Sequence, residues 1–295
     1  MSESFGLDWL RLRETQDVRA RSRTLARGFG AAVRRKAGEA PALLLDLGAG
    51  SGAGFRALAP LIPGDQEWRL VDHDPALLGH QAAEIAQWAR GQGYRVTHGM
   101  GVVTIATGHA NWRAHSIDRD LAAGLDSLSL ASAHGVACAA LLDLVSESWL
   151  RALTDRLAGA RVPFLAALSV DGRREWRPEH PEDALVVSAF ARHQVRDKGF
   201  GAALGPAAPA TARTVFEGRG YSVTAAPADW RLAAQEDALL SALVDGDAAA
   251  AAESEPGAAA LIDAWRRDRH RERAEGTLGL TVGHVDILAV PNESR

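Results

Sequence analysis

One stretch limits what this chain can fold into more than any other: LLLDLGAGSGAGF, Leu43 to Phe55. An apolar run, Ala42–Leu47, reads as a buried strand. Asp46 lies near its end, and four glycines (Gly48, Gly50, Gly52 and Gly54) then fall within seven residues. Glycine tolerates backbone conformations closed to other residues and adds no side chain, so ligand atoms can rest on bare backbone there.

The rest of the chain repeats strand and helix at a steady rhythm. Leu7 to Lys36 reads as one helix, with Val18, Leu25, Phe29 and Val33 on one face and Gly38 ending it. Further strands are expected at 68–71, 112–117, 135–140, 162–170, 221–226 and 277–290, with a hairpin over 94–107. Helices are expected at 76–90, 147–157, 181–196 and 210–218, and over 235–273 with a break near Glu255-Pro256-Gly257. This alternation predicts a Rossmann-like, doubly wound α/β fold: a mostly parallel sheet of seven strands with helices on both faces. No convincing linker appears, so residues 1–295 are expected to form a single domain with a helical insertion over 227–276.

Composition narrows the function. The 33 basic and 37 acidic side chains give a formal charge of −4. That argues against a dedicated nucleic-acid binder, although the arginine-rich N-terminal helix keeps RNA in view. Cys138 is the single cysteine and lies in an apolar run, where a packed thiol is expected. The His, Cys and Asp residues show no metal-ligand spacing, so no metal is expected. No stretch is long and apolar enough to cross a bilayer, and the first forty residues lack the apolar core of a secretory signal. A cytoplasmic location is the expectation.

Gly48, Gly50 and Ala53 satisfy the relaxed G-x-G-x-x-G/A pattern, which by itself permits NAD. Asp46 discriminates. Its carboxylate would face a pyrophosphate at like charge, a repulsion on the order of 4 kcal/mol at ~4 Å and an effective dielectric near 20. The same group suits a ligand carrying an ammonium and a sulfonium.

On these residues, D-L-G-A-G-S-G resembles the first motif of the class I S-adenosylmethionine-dependent methyltransferases. The resemblance covers roughly residues 40–170 by recognisable motifs. It implies that S-adenosyl-L-methionine is the cofactor, and that Asp46, Gly48, Ala49, Gly50 and Gly52 hold its methionine end. It also implies that an acidic residue closing the second strand binds the ribose hydroxyls. Asp72 matches that position, with Asp74 as the second choice. An acidic residue after the third strand would meet the adenine, and Asp120 is preferred there over Asp118. The helix over 7–36 would cover the cofactor, with Arg21 either pairing with the methionine carboxylate or bridging to a neighbouring acid.

The acceptor should lie outside the carboxyl ends of the later strands. Asp143 is either the family-like acid near the transferring methyl or a structural turn residue before the cap Ser146. His193 shares the apolar face of its helix with Val186 and Phe190, as either a core histidine or the base for the acceptor proton. Asp171, Arg173, Trp176 and His180 are expected in a long polar loop bordering the acceptor. The turn Asp197–Gly201 is placed to close over it. Trp149 reads as packing, and His284 faces either core or pocket.

The reading is methyl transfer to a small-molecule acceptor, with no membrane partner; the 227–276 insertion shapes either a pocket or a homodimer contact. Two alternatives stay open: an NAD-dependent oxidoreductase, and a non-catalytic S-adenosylmethionine-binding protein.

Overall fold

A computed structural model describes residues 6–99 and 101–293. Its centre is one sheet that contains ten strands among the described residues. In chain order these are β1 (Ala42–Leu47), β2 (Gln66–Asp72), β3 (Arg95–Gly99), β4 (Val102–Ala106), β5 (Asn111–Asp118), β6 (Gly135–Ala139), β7 (Phe164–Arg177), β8 (Tyr221–Pro227), β9 (Trp230–Leu232) and β10 (Gly279–Pro291). Their spatial order is β3-β4-β5-β2-β1-β6-β7-β10-β8, with β9 pairing β10. Strands β5, β2, β1, β6 and β7 run parallel. Strand β4 is antiparallel to both β3 and β5, and β10 is antiparallel to β7, β8 and β9.

The fold is thus Rossmann-like. The seven-stranded expectation is corrected to ten, because the hairpin extends one edge and the short β9 adds to the other. From β1 the chain builds outward to β2 and β5, then returns to place β6 on the other side of β1. That reversal is a topological switch point, where open α/β sheets leave a crevice at their carboxyl ends.

Helices cover both faces. On one lie α2 (Arg23–Ala37), α3 (Ala53–Leu58) and α4 (Pro75–Gly91). Phe29, Phe55 and Trp68 are fully buried there. Burying such side chains contributes roughly 1.5–3 kcal/mol each. On the other lie α5 (Glu147–Gly159) and α7 (Ala208–Glu217), where Phe164 stacks on Phe216 at 5.0 Å. A third apolar cluster joins the outer ends of β7 and β10 to α6 (Asp183–Gln194), α8 (Asp237–Ser254) and α9 (Ala259–Ala274) around Trp176, Leu240 and Trp265.

Three further expectations change. The single helix over 7–36 is two: α1 (Leu7–Ala20) and α2, broken at Arg21–Ser22. Ser22 starts α2 as an N-cap, its Oγ accepting from the Leu25 amide at 3.3 Å. The break removes Val18 from the face of Leu25, Phe29 and Val33, and leaves it exposed. The polar loop expected after residue 170 is instead the second half of β7, paired to β10 as far as Arg177. The 227–276 insertion is helical only from residue 234 onward, since β9 opens it.

Candidate functional site

A cavity of ≈ 940 Å³ opens at the switch point. Its floor is the loop after β1 and the turn after β6, and its cover is α1. The β6 turn includes Ala140, a non-glycine residue at φ 48°. The far wall comes from β7, β10, α6 and α8.

The glycine loop is shaped for close approach. Gly48 and Gly50 adopt φ +66° and +52°, and a Cβ on Gly50 would meet Leu10 of α1 at 3.0 Å. Both line the cavity with Ala49. Gly52, expected among the cofactor contacts, does not line it. It sits at φ +84°, and a Cβ there would press on Ile85 of α4 at 2.9 Å. The absence of a side chain there lets the loop pack against α4.

Asp46 is 2% exposed, and its register pairs it with Leu70 and Ala137 on both neighbouring strands. Burial pushes its carboxyl up to about 7, with Asp72 adding to the shift while Arg21 and the Phe55 amide oppose it. The fixed negative charge expected of Asp46 is therefore only partial near neutral pH. Its position excludes phosphate by another route. The carboxyl packs against the first turn of α3, where a Cβ on Gly54 would collide with both oxygens. A pyrophosphate would need that helix N-terminus, and the protein's own acid already occupies it.

Asp72 ends β2 and braces the loop. Its Oδ2 accepts from the Gly50 amide at 2.7 Å, and its Oδ1 accepts from His73 and Asp74 at 2.8 and 3.0 Å. Asp74 is the N-cap of α4, accepting from Ala76 and Leu77. Asp72 lines the cavity while making these bonds.

Arg21 falls at the α1–α2 break, lines the cavity and makes no ion pair among the described residues; its Nε is buried without a hydrogen-bond partner. Asp286 of β10 holds this corner: its carboxylate accepts from the Ser22 amide at 2.7 Å and the Leu168 amide at 2.8 Å. Of the two readings for Arg21, the bridge to a neighbouring acid is not formed.

Asp120 and Asp118 are exposed and absent from the lining. Asp120 instead accepts from the Ala122 amide, turning the chain so that Leu121 reaches the cavity. Trp149 is packed as expected, donating from Nε1 to the Leu121 carbonyl at 2.8 Å.

On the acceptor side, Asp143 and His193 both line the cavity. Asp143 Oδ1 is buried without a partner, and burial raises its carboxyl to about 6. His193 Nε2 lies 3.3 Å from the Glu253 carboxylate. Lys198 and Phe200 of the 197–201 turn reach the lining, and Asp197 closes that turn by accepting from the Gly199 and Gly201 amides. The four residues assigned to a polar loop do not reach it. Arg173 pairs with both Asp171 and Asp229 away from the lining, Trp176 is core, and His180 lies 3.3 Å from Asp268.

Their neighbour Arg174 does reach it, with Asp247 of α8, Arg13 and Asp17 of α1, Trp230 and His284. Of these, only His284 stands among the sequence candidates. The signal was present for Asp247, which follows Leu240 by seven residues and Leu243 by four on one face of a helix.

No protein-family model and no curated protein sequence matches the chain. Solved structures do. An S-adenosylmethionine-dependent methyltransferase from Geobacter sulfurreducens, in complex with S-adenosyl-L-homocysteine, is similar at 15% identity over 92% of each chain, TM-score 0.43. One from Thiobacillus denitrificans, also in complex with S-adenosyl-L-homocysteine, matches at 16% identity over 98% of this chain and 100% of its own, TM-score 0.43. A cyclopropane-fatty-acyl-phospholipid synthase-like protein from Lactobacillus casei matches at 12% identity over 94% and 98%, TM-score 0.45.

Proposed function

We propose that the chain is a methyltransferase using S-adenosyl-L-methionine, with a small-molecule acceptor. One observation carries the choice over a dinucleotide enzyme. Asp46 fills the first turn of α3, the place a pyrophosphate would require, while Arg21 lines the same cavity and forms no ion pair among the described residues. That pair matches a zwitterionic amino-acid end. Arg21 takes its carboxylate, and Asp46 with the bare backbone of Gly48 and Gly50 takes its ammonium. Asp72 retains acceptor capacity for ribose hydroxyls beside the loop.

The cofactor supplies an electrophilic methyl on a sulfonium. The chain's contribution is alignment of donor and acceptor in a cavity covered by α1. Positive charge at sulfur falls as the methyl transfers, so a strongly anionic wall would favour the ground state. Asp143 or His193 takes the proton released by the acceptor.

The test incubates the protein with methyl-labelled S-adenosylmethionine and a filtered small-molecule cell extract. Label appearing in a new small molecule supports the enzyme. Retained cofactor without product supports the binding-protein alternative instead.

A further inference from the structure

The end of the cavity away from the glycine loop has its own built polar site. Arg174 is among its lining residues, with only 9% of its side chain exposed. Its guanidinium stacks on the Phe190 ring at 4.6 Å, and its Nε donates to Asp247 Oδ2 at 2.5 Å. Among the described residues it makes no other hydrogen bond, so both Nη groups are unsatisfied. A guanidinium has five N–H donors in a planar fork, and here one is used.

Two more groups converge beside it. Arg13 stacks over Trp230 at 4.9 Å and is held by Asp17 through Nε and Nη2, which leaves Nη1. His284 bonds the Val282 carbonyl through Nδ1 and lies 5.0 Å from the Trp230 ring. Burial, then Arg13 and Arg174, hold His284 down to about 4, so it is a neutral ring between two cations. Apolar residues on the same wall include Val170, Leu243 and Val282.

We infer that this chamber recognises the acceptor by a carboxylate, gripped by the free fork of Arg174, with an apolar body against Phe190, Trp230 and Leu243. The inference deepens the proposed function and rests on the glycine-loop end holding the methyl donor. A planar carboxylate matches the guanidinium fork in shape and charge. The ion pair with Asp247 fixes the fork's orientation, and Phe190 keeps it flat.

The test is calorimetric titration of the full chain, saturated with S-adenosylhomocysteine, with phenylacetate, phenylacetamide and phenethylamine. Phenylacetate is expected to bind about ten-fold or more tighter than the amide, as one charge-assisted contact implies. Removing Arg174 alone would strand Asp247, so the variant is the double substitution R174M/D247L. It should erase the preference for the acid while leaving the S-adenosylhomocysteine affinity unchanged. Equal binding of acid and amide, preference for the amine, or no binding of any probe overturns the inference. Failure to bind S-adenosylhomocysteine with the acid preference intact overturns the proposed function and leaves the carboxylate site standing.

Discussion

Arg56 of α3 and Glu14 of α1 form a two-pronged bond, Nε to Oε1 and Nη2 to Oε2, each at 2.7 Å. The same guanidinium donates to the Ser51 carbonyl at 2.7 Å and to Ser51 Oγ at 3.3 Å. One buried arginine therefore ties the covering helix to the glycine loop. Arg11 and Glu84 add a second tie between α1 and α4 at 2.6 Å.

Glu14→Gln should loosen that cover without unfolding the domain. Losing one partner of a largely desolvated charged bond costs about 1–3 kcal/mol. The expected outcome is faster amide exchange across residues 7–20 and weaker S-adenosylhomocysteine binding, with the sheet's exchange unchanged. Equal protection of α1 in both proteins would show that the bond does not hold it down.

Gly54→Ala tests the seat of Asp46. The position is helical, so backbone strain is not at issue; the new methyl would meet the Asp46 carboxyl directly. Displacing that group should weaken cofactor binding and lower the melting temperature, with a cost of about 1–3 kcal/mol for overpacking. Unaltered binding would mean that Asp46 does not need this place.

Asp46 also makes a pH prediction. Its carboxyl rises from 3.8 unfolded to about 7 folded, mainly through burial. The folded state then binds the proton more tightly, so the stability contributed is complete below about pH 4 and is lost as pH rises towards 7. In the ligand-free protein, Asp46→Asn should therefore gain melting temperature relative to wild type as pH rises from 4 to 8. A cationic donor favours the ionised acid, so S-adenosylmethionine binding near pH 6.5 should release protons. Calorimetry in two buffers of different ionisation enthalpy measures that release, and Asp46→Asn should abolish it.

Asp286→Asn removes one of two carboxylate acceptors that hold the Ser22 and Leu168 amides. An unsatisfied buried amide costs about 1–3 kcal/mol. Because Ser22 follows Arg21, the substitution should also weaken S-adenosylhomocysteine binding. A drop in melting temperature with unchanged affinity would separate the corner from the ligand.

The doubly wound order and the β1 loop were legible because their signals are local: apolar runs for buried parallel strands, glycines where φ must be positive. The seams were harder to see. Nothing in VRARSRTL but Ser22 announces the α1–α2 break, since no Gly or Pro stands there. The DGRREWR half of β7 looks like a loop because charged residues fill it, yet antiparallel pairing with β10 satisfies its backbone. Gly52 and Gly48 look alike in sequence, and only the fold places Gly52 against Ile85 and Gly48 on the cavity lining. Arg174 was hidden for a similar reason. Its importance comes from Asp247 and Phe190, which are distant in the chain and meet it only after α6 and α8 dock.

The central claim is that the glycine-loop end of the cavity takes a methionine-bearing nucleoside and refuses a pyrophosphate. Separate calorimetric titrations of the full chain with S-adenosylhomocysteine and with NAD test it most directly. Saturable binding of one S-adenosylhomocysteine per chain and none of NAD is the expected result. Binding of NAD with no response to S-adenosylhomocysteine would contradict it.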